Sequence, residues 1–511
     1  MNRLSGSCVL GSDLGTSGCK SIVLDAEGNI RGWALEDYPT LRPHPGWAEQ
    51  HPGDWFSAFR NTAQQAIRQA EVEPEEIAAV CIVGITHNAV LLDENDAVLR
   101  AAILYTDIRS QTQSEALLQK WGDAIFQRTF NPLSPVWTWP QLQWIKENEP
   151  EVWRQTRRIL FPKDYVRHQI APSFLTDTID PVGTCLYDPL ENQWIDLFCA
   201  DLGLPPEVWP EPVEPWCVVG GVSKQAAAET GLVPGTPVIA GTTDTAAEVF
   251  GTGAIRPGQT TVKLATVGRI ATISEDPVPD PTFFNYPHVL EGLWYPGTST
   301  KFAASAFTWA RRAFWDEGDR SHDYKLMDQA AAGVPPGAGG VIFHPYLAGE
   351  FAPSWDPYLR ASFLGVGIQH NRAHFTRAVM EGVAFAIRDA LESILATGLE
   401  VDEIRLIGGG AASDLWAQIM TDVLQRELLV PESADAAFGS ALMAGVAAGM
   451  FEAKSDSIGD LIRIRARRFP DEKRSTLYDD LFGIYRQAAE SISDVSHQLH
   501  HFQVKQGAGS K

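Results

Sequence analysis

The segment Asp13-Leu-Gly-Thr-Ser-Gly-Cys-Lys20 decides the fold at the start of the chain. Residues 8–12 before it and residues 20–25 at its end are predicted as two short strands joined by this turn. Residues 30–35 form a third predicted strand, which follows the turn Ala26-Glu27-Gly28-Asn29. The pattern therefore predicts that a β-hairpin opens the chain.

A similar segment occurs in the second half, Thr261-Val-Lys-Leu-Ala-Thr-Val-Gly-Arg-Ile-Ala-Thr-Ile273. Residues 264–268 can be laid over residues 14–18. We interpret this as an internal duplication in which each half contributes one phosphate-facing hairpin. Chance similarity between two hairpins rich in Gly and Thr is the alternative. The boundary between the halves is predicted near residues 250–258, which are rich in Gly and contain Pro257.

Polar residues follow several apolar runs. Residues 77–86 and 236–243 are predicted as buried strands that deliver polar side chains at their ends. Residues 404–407 form a strand that runs into three glycines and then a helix beginning near Ser413. Residues 373–397 have an apolar stripe at helical spacing, so they are predicted as a packed helix.

Composition limits the classes of function. The chain has 511 residues and a formal net charge of −23, so two domains are expected and a nucleic-acid or anionic-membrane surface is disfavoured. Its six cysteines lack paired metal spacing, which indicates buried free thiols and a cytoplasmic location. No signal peptide or membrane span is predicted. Neither a Walker-type nor a dinucleotide-binding glycine motif is present, so phosphate must be bound by other means.

The first hairpin carries groups suited to phosphate and Mg²⁺. They are Asp13, Gly15, Thr16, Ser17, Gly18 and Lys20. The glycines allow close backbone approach, the hydroxyls and the ammonium group can contact phosphate, and the carboxylate can hold Mg²⁺ through water. An ordinary hairpin turn is the alternative. The glycine run 408–410 before Ser413 could likewise hold a phosphate or a flat ligand at a helix N-terminus, or be a simple tight turn.

Asp244 is the candidate general base. It ends the apolar run 236–243 and lies beside Thr245. A carboxylate there can accept the proton of a hydroxyl that attacks the γ-phosphoryl group of ATP. A structural role in capping the next helix is the alternative. His87-Asn88 and Asp107 with Arg109 are polar groups suited to hydrogen-bonding sugar hydroxyls, or else satisfied surface pairs.

Together these elements resemble the FGGY carbohydrate kinase family, and within it the xylulokinases, from Gly11 to about Gly449. The motifs that carry the resemblance are Asp13-Leu-Gly-Thr-Ser17, Trp47-Ala-Glu-Gln50 with Pro52 and Trp55, Pro162-Lys-Asp-Tyr165, Gly183-Thr184, Tyr346-Leu-Ala-Gly-Glu350 with Pro353 and Trp355-Asp-Pro357, Ala361-Ser-Phe-Leu-Gly-Val366 with His374-Phe375 and Ala378-Val-Met-Glu381, and Gly408-Gly-Gly-Ala-Ala-Ser413 with Trp416 and Gln418.

The resemblance implies an α/β fold of two ribonuclease-H-like, actin-like ATPase domains with an interdomain cleft. The expected domains are residues 1–250, which bind sugar, and residues 251–495, which bind ATP; residues 496–511 are expected as a frayed tail. Domain closure would exclude water, so that ATP is not simply hydrolysed. The implied activity is transfer of the γ-phosphate of ATP to a terminal hydroxyl of a ketopentose, with D-xylulose as the first candidate.

The resemblance also implies roles for individual residues. Asp244 is the expected catalytic base, and the expected sugar-binding residues are Thr86, His87, Asn88, Asp107, Asp244 and Thr245. The expected ATP-binding residues are Thr16, Ser17, Lys20, Thr266, Gly409, Gly410 and Ser413. Asp13 is the expected Mg²⁺ residue. The implied partners are a small-molecule sugar and ATP, without nucleic acid or membrane, and a homodimer is expected because members of this family are often dimers.

Three segments depart from the xylulokinase pattern, and the departures fall on the residues that are expected to choose the sugar. This chain has Thr86-His87-Asn88 where xylulokinases usually have Met-His-Gly, Asp244-Thr245 where they have Asp-Asn, and Ala265-Thr266-Val267 where they have Gly-Thr-Ser. One altered polar contact can change discrimination between sugars strongly. D-Ribulose, L-xylulose, L-ribulose and sugar alcohols therefore stay open as substrates, and a non-catalytic sugar or nucleotide sensor on the same fold is a further alternative.

Overall fold

The computed structural model describes residues 6–315, 323–452 and 455–508, which form an α/β fold with two six-stranded sheets. The chain divides into two units. Unit 1 comprises Met1–Ile255, Glu275–Tyr295 and Ser433–Arg463, and unit 2 comprises Arg256–Ser274, Pro296–Glu432 and Ile464–Lys511. Each unit contains one of the two large sheets.

The elements follow one another along the described parts of the chain. The strands are β1 (Cys8–Leu14), β2 (Gly18–Asp25), β3 (Ile30–Asp37), β4 (Glu49–Gln50), β5 (Ile77–Gly84), β6 (Val90–Leu92), β7 (Ala102–Ile103), β8 (Arg158–Leu160), β9 (Leu175–Asp177), β10 (Tyr187–Asp188), β11 (Gln193–Trp194), β12 (Glu211–Val213), β13 (Val218–Gly221), β14 (Pro237–Ile239), β15 (Gln259–Leu264), β16 (Gly268–Thr272), β17 (Gly297–Thr300), β18 (Ile342–His344), β19 (Ser362–Leu364), β20 (Glu403–Ile407), β21 (Leu428–Pro431) and β22 (Ile464–Arg468). The α-helices are α1 (Pro52–Ala70), α2 (Gln111–Thr129), α3 (Thr138–Asn148), α4 (Pro150–Gln155), α5 (Pro162–Ile170), α6 (Asp196–Leu202), α7 (Lys224–Thr230), α8 (Asp244–Gly251), α9 (Ala304–Phe314), α10 (Asp323–Ala332), α11 (Arg372–Ala396), α12 (Asp414–Leu424), α13 (Ala436–Ala447), α14 (Ser455–Leu461) and α15 (Glu472–Ala508).

The sheet of unit 1 has the order β13-β14-β5-β1-β2-β3. Strands β1, β2 and β3 pair antiparallel, which confirms the predicted hairpin and its third strand. Strand β5 is parallel to β1 on one side and to β14 on the other, and β13 returns antiparallel. All eight residues of β5 are buried, as expected for the apolar run that predicted this strand.

The sheet of unit 2 has the order β22-β21-β20-β15-β16-β17 and repeats the same pattern of directions. Strand β15 is antiparallel to β16 and parallel to β20, which is parallel to β21. Strand β15 ends at Leu264 and β16 begins at Gly268, as β1 ends at Leu14 and β2 begins at Gly18. The repeated topology supports the duplication that the two hairpin sequences predicted.

The units are not the two continuous segments that the sequence suggested. The chain leaves unit 1 after Ile255, near the expected boundary, but Glu275–Tyr295 and Ser433–Arg463 belong to unit 1 as well. Helix α13 explains the second return, because its small residues pack directly on other parts of unit 1. A Cβ at Gly439 would lie 1.8 Å from the carbonyl oxygen of Ala247 in α8. Only a helix without side-chain bulk at this position can approach so closely.

The C-terminal residues also differ from the expected frayed tail. Helix α15 continues through residue 496 and ends only at Ala508. His497 Nε2 lies 2.6 Å from an Asp356 carboxylate oxygen, and Arg360 donates to His500 Nδ1. These contacts within unit 2 stabilise the last turns of the helix, so their polar residues are partly engaged.

Two smaller expectations are met in part. The predicted helix 373–397 is α11, and its stripe residues Val379, Val383 and Ile387 are fully buried. The six cysteines are free; five are buried and Cys217 is exposed, so the prediction of buried thiols is wrong for Cys217. None of the helices that the structure describes has both the length and the apolar character needed to cross a membrane.

We expect Gly439→Ala to lower the midpoint of thermal unfolding. The added methyl group would overlap the carbonyl oxygen of Ala247, and overpacking of this kind costs about 1–3 kcal/mol. Gly483→Ala is the matched control, because a Cβ there meets nothing within 4 Å and the position is exposed in α15. Calorimetry should show the control at or above the wild-type midpoint. Equal midpoints for the two variants would contradict the packing described for α13.

Candidate active site

Three parallel strands of unit 1 bring the predicted catalytic residues to one edge of the sheet. Strands β1, β5 and β14 run in the same direction, so their carboxyl ends meet at the same edge. Asp13 lies at the end of β1, Thr86 to Asn88 follow β5, and Asp244 follows β14. Thr243 forms a parallel bridge with Gly84, which extends the β14–β5 pairing to this edge. The structure thus brings Asp13, Asp244 and the turn Thr86–Asn88 to one edge, whereas the predicted sugar residue Asp107 lies with the Trp47-Ala-Glu-Gln50 motif.

Tyr38 lies within electrostatic range of both carboxylates, Asp13 and Asp244. Burial raises the pKa of this phenol, and the negative charges of neighbouring groups, Asp13 and Asp244 among them, raise it further. Both carboxylates therefore act on the same buried ring. The Tyr38 hydroxyl donates a hydrogen bond to the carbonyl oxygen of Gly15, so it also holds the first hairpin.

Asp244 is the first residue of α8, but it is not the cap of that helix. The Thr243 side chain is the N-cap and accepts a hydrogen bond of 3.1 Å from Ala246 N. The capping role proposed as the alternative for Asp244 therefore belongs to its neighbour. Thr245 donates to Asp244 Oδ1 from its backbone nitrogen at 2.6 Å and its hydroxyl at 3.2 Å. These bonds fix the orientation of the carboxylate at the sheet edge.

The turn after β5 is held by a carboxylate that the sequence analysis did not single out. Asp180 Oδ1 accepts hydrogen bonds from His87 N at 2.6 Å and from the Thr86 hydroxyl at 3.1 Å. His87 has a left-handed backbone with φ of 49°, which a non-glycine residue adopts only when its surroundings hold it there. Asp180 supplies that restraint.

Asn88 presents an acceptor at this turn. Its amide nitrogen donates to the Thr86 carbonyl oxygen at 2.9 Å. Its Oδ1 is buried and has no hydrogen-bond partner among the residues that the structure describes. Buried polar atoms are normally satisfied, so this oxygen is suited to a donor hydroxyl from a ligand.

The His87 ring is enclosed in unit 1. Its Nδ1 lies 3.2 Å from the Thr138 hydroxyl, and its ring centroid lies 5.0 Å from that of Trp137. A Cβ at Gly183 would come within 2.3 Å of the ring, which explains the glycine in the Gly183-Thr184 motif. Burial lowers the pKa of His87 to about 3. The imidazole is therefore neutral at physiological pH, and it can act as a hydrogen-bonding group but not as a cation.

The predicted phosphate-binding residues of the first hairpin do not all lie at its tip. Thr16 and Ser17 form its tip; the Thr16 hydroxyl lies 3.0 Å from that of Tyr105, and Ser17 is exposed. Lys20 points elsewhere in unit 1, because its ammonium group pairs with Asp435, the N-cap of α13. Lys20 thus has a structural partner, and its contact with ATP stays a prediction.

Asp107 supports the Trp47-Ala-Glu-Gln50 motif. Its Oδ2 accepts from Ala48 N at 2.6 Å, and Arg109 Nη2 lies 2.7 Å from the same carboxylate oxygen. Arg109 also binds Glu49 at 2.6 Å, and its guanidinium carbon lies 3.6 Å from the centre of the Trp47 ring. Both Asp107 oxygens are engaged by the protein, since Oδ1 accepts from Arg109 N at 2.8 Å. A direct contact between Asp107 and sugar stays a prediction.

In unit 2, the second hairpin and the glycine run lie at one edge because β15 and β20 are parallel. Thr266 is exposed at the hairpin tip, and its carbonyl oxygen accepts from Ala303 N at 3.1 Å. Gly408 has a φ of 87°, and a Cβ there would lie 2.6 Å from the Leu264 carbonyl oxygen. The glycine run therefore packs directly on the end of β15. Gly409 is exposed, and a Cβ on it would meet nothing within 4 Å.

Ser413 follows this run as the N-cap of α12. It accepts a hydrogen bond of 3.0 Å from Trp416 N and donates one to Asp328 of α10. Exposed backbone next to a helix N-terminus is suited to a phosphate or to a flat heterocycle. The predicted Thr266, Gly409, Gly410 and Ser413 thus lie on neighbouring elements of unit 2.

The residues of unit 1 fit a bound Mg²⁺ of the kind found in kinases. Within the described parts of the chain, no group of three or more His, Cys, Asp or Glu residues is placed to hold a metal ion. Mg²⁺ usually keeps several waters and binds through one or two carboxylates together with substrate phosphates. Asp13, partly exposed at the end of β1, is suited to this mode.

The structure adds residues that the sequence analysis missed as parts of the site. Asp180 holds the turn after β5, Tyr105 and Gln50 hold the first hairpin tip, and Asp328 holds Ser413. The Gln50 signal was available in the Trp47-Ala-Glu-Gln50 motif. Asp180, Tyr105 and Asp328 give no such signal, because their partners are 94, 89 and 85 residues away in the sequence.

We expect His87 to remain uncharged from pH 8 down to pH 5. Burial places its pKa near 3, below the value of about 6.5 for the unfolded chain. The unfolded state binds the extra proton between these values, so the stability that His87 contributes falls as the pH falls from about 6.5 toward 3. NMR of protein with ¹³C-labelled histidine checks this, with His87→Gln to assign the resonance. A His87 titration midpoint above pH 5 would show that the ring is not buried as described.

Comparison with known proteins agrees with this geometry. The N-terminal domain model of the FGGY family of carbohydrate kinases matches residues 8–251, and the C-terminal domain model matches residues 265–448. A xylulose kinase of Bacillus subtilis (strain 168) is 31% identical over 499 residues, which cover 97% of this chain and 99% of that protein. A gluconokinase of the same organism is 26% identical over an alignment that covers 97% of this chain and 98% of that protein.

A solved structure leads to the same family. The crystal structure of xylulose kinase from Rhodospirillum rubrum matches with a TM-score of 0.88 and 27% identity, over 96% of this chain and all of that one. The two-sheet architecture is thus the actin-like fold of these kinases, as the motifs implied. With family models that span both halves and a relative above 30% identity over nearly its whole length, the chain belongs to the FGGY family of carbohydrate kinases and is a sugar kinase.

Proposed function

We propose that this kinase transfers the γ-phosphate of ATP to a terminal hydroxyl of a ketopentose, with D-xylulose and D-xylulose 5-phosphate as the first candidate pair. One observation carries the proposal: Asp244 lies at the same edge of the unit 1 sheet as the polar turn Thr86-His87-Asn88. The similarity to several proteins named xylulose kinase supports the choice of sugar.

The proposed reaction is an in-line displacement. The sugar hydroxyl oxygen attacks the γ-phosphorus, its proton passes to the Asp244 carboxylate, and the bond between the γ-phosphorus and the bridging oxygen of ADP breaks. Asp13 would hold Mg²⁺, which supplies neutralisation of negative charge on the phosphate oxygens when bound. Thr245 keeps the Asp244 carboxylate in place through its two hydrogen bonds.

Each unit has its own residues that are suited to ATP. In unit 2, the open backbone of Gly409 and the helix N-terminus at Ser413 suit the nucleoside, and Thr266 suits a phosphate. Gly410 is buried against Leu264 and would support the loop from below. In unit 1, Thr16 and Ser17 suit the phosphate chain, and Lys20 would join them only by leaving Asp435. We therefore rank Lys20 below the two hydroxyl residues.

The charge of the sugar site favours a neutral ketose over an aldonic acid. Gluconate carries a carboxylate that a site must neutralise, and one relative of this chain is named gluconokinase. His87 is held neutral by burial, and the charge of Lys20 is compensated by Asp435, so neither offers an uncompensated positive charge. Asn88 and Thr245 differ from the usual xylulokinase residues and can change which ketose or polyol is preferred.

We expect Asp244→Asn to abolish sugar-dependent ADP release while leaving the protein folded. The amide keeps the size of the side chain but cannot accept the hydroxyl proton, and loss of a general base typically costs about 10²–10⁴-fold in rate. A coupled ADP assay with Mg²⁺-ATP against pentuloses, hexuloses, polyols and gluconate measures this and names the substrate.

Asp196→Asn is the matched control for this substitution. Asp196 is also the first residue of a helix in unit 1, α6, and it is exposed. Its variant should keep wild-type turnover. Turnover by Asp244→Asn within about tenfold of wild type would exclude Asp244 as the base. If no sugar raises ADP release in the wild type, the sensor alternative stands and sugar-binding measurements follow.

We expect Gly409→Ala to raise the KM for ATP without changing the KM for sugar or the stability. A Cβ at Gly409 meets no protein atom within 4 Å, so the methyl group would occupy only the surface proposed for the nucleoside. Gly483→Ala, another exposed position of unit 2 with open space around it, is the control. ATP and ADP titrations by calorimetry check the effect directly. Unchanged nucleotide affinity in Gly409→Ala would remove this loop from the proposed surface.

A further inference from the structure

A buried cluster of charged residues lies beneath the sugar side of unit 1. Lys163 of α5 is fully buried, and its Nζ lies 2.6 Å from Asp164, 2.8 Å from Asp177 and 3.7 Å from Asp180. Arg167 joins the cluster, 3.1 Å from the Asp164 carboxylate. Lys163 and Asp164 belong to the Pro162-Lys-Asp-Tyr165 motif, to which the proposed reaction assigns no role.

Two hydrogen-bonded branches leave this cluster toward the sheet edge. In the first, Asp180 accepts from His87 N and from the Thr86 hydroxyl, the two residues that open the proposed sugar-binding turn. In the second, Asp177 Oδ1 accepts a hydrogen bond of 3.1 Å from the Thr242 hydroxyl. Thr242 stands two residues before Asp244. Through Asp180 and Asp177, Lys163 therefore connects the turn that carries the proposed sugar contacts with the strand end that precedes Asp244.

The cluster has one more carboxylate than cations. Three carboxylates face two cations, and all five side chains are buried, so one carboxylate is best kept neutral. Burial raises the pKa of Asp180 to about 8; the charge of Lys163 lowers it, and those of Asp177 and Asp164 raise it. Asp180 thus carries a proton at neutral pH and becomes negatively charged, next to two other carboxylates, as the pH rises through about 8.

The groups around Asp180 come from several elements. Lys163, Asp164 and Arg167 lie on α5, and Asp177 lies at the end of β9. The Cys81 thiol on β5 and the Tyr187 hydroxyl on β10 also face the cluster; burial raises the pKa of Cys81 to about 12 and raises that of Tyr187, so both stay neutral. His87 is neutral as well. Asp180 is therefore the group of this set that changes charge between pH 7 and 9.

We propose that the Lys163–Asp177–Asp180 cluster is a positioning device for phosphoryl transfer, in which Asp180 orients the sugar-binding turn and Asp177 orients the strand end that carries Asp244. This inference rests on the proposed function. Lys163, Asp177 and Asp180 would affect sugar binding and the rate of transfer indirectly, through their contacts with Thr86, His87 and Thr242. Because the two branches end at different residues, we expect substitutions in each branch to change a different kinetic constant. Changes at Asp180 act on sugar affinity, and changes at Thr242 act on the rate of transfer.

The first experiment compares Asp180→Ala with Asp180→Asn. Alanine removes the acceptor of the His87 and Thr86 bonds, so the KM for sugar should rise at least about tenfold while the KM for ATP stays unchanged. Asparagine keeps an acceptor oxygen and mimics the neutral acid, so its KM for sugar at pH 7 should stay within about threefold of wild type. Equal sugar KM values in Asp180→Ala and wild type would overturn the first branch.

The second experiment uses Thr242→Val, which keeps the shape of the side chain and removes the hydroxyl bound to Asp177. We expect kcat to fall about threefold to tenfold with an unchanged KM for sugar. Thr230→Val is the matched control, because Thr230 is also buried in unit 1 and its hydroxyl donates to the Ala226 carbonyl oxygen in α7, away from the cluster. Equal kcat values in the two variants would overturn the second branch.

The pH profile distinguishes positioning from simple stabilisation. In the wild type, the KM for sugar should rise between pH 7 and 9, because an ionised Asp180 is repelled by Asp177 and Asp164 and loosens the turn. In Asp180→Asn the KM for sugar should stay flat over the same range. A wild-type profile parallel to that of Asp180→Asn would overturn the proposal even if Asp180→Ala failed to fold.

An NMR readout needs no turnover and therefore separates this inference from the proposed function. In full-length protein labelled with ¹⁵N-histidine, the His87 amide should shift with a midpoint near pH 8, and Asp180→Asn should remove that transition. The His87→Gln variant assigns the resonance. If this transition is present but no sugar is phosphorylated, the proposed function fails and the linkage stands. If sugar is phosphorylated and the transition is absent, the inference fails alone.

Discussion

Parallel pairing of β1, β5 and β14 is the constraint on which the candidate site of unit 1 depends. Strands that run in one direction end at one edge, and the backbone there is free to turn toward a ligand. Asp13, the turn after β5 and Asp244 meet because of this geometry, although 231 residues separate the two aspartates in the sequence. The antiparallel β2 then folds back beside β1, so that the hairpin tip lies at the same edge.

The same strand order in unit 2 presents different residues at the edge of the sheet. There the edge is formed by the Thr266 hairpin, the glycine run and the N-terminus of α12, and bare backbone replaces the carboxylates of unit 1. Two sheets with one strand order can thus present different binding groups, since each edge is defined by a few side chains on a common frame. The difference follows from the residues at the strand ends, because the strand order is shared.

Burial of charge is the second feature that shapes unit 1. An isolated buried lysine is costly, and Lys163 is tolerated because carboxylates surround it. The arrangement is stiff, since any displacement would leave a charge without its partner. The cluster supports the turn in which His87 holds a left-handed backbone, and it supports the strand end that precedes Asp244.

The sequence by itself determined the local elements and much of the chemistry. Alternation and turn residues predicted both hairpins, the apolar runs predicted β5 and β14, and the motifs predicted the kinase family and Asp244. Tertiary structure alone decided which residues contact one another. Asp180 accepts a hydrogen bond from His87, and Asp435 forms an ion pair with Lys20. Thr243, and not Asp244, caps α8, and α13 belongs to unit 1. The reason is physical. Propensity and periodicity act over a few residues, whereas most of these contacts join residues far apart in the chain, whose meeting depends on how strands and helices pack.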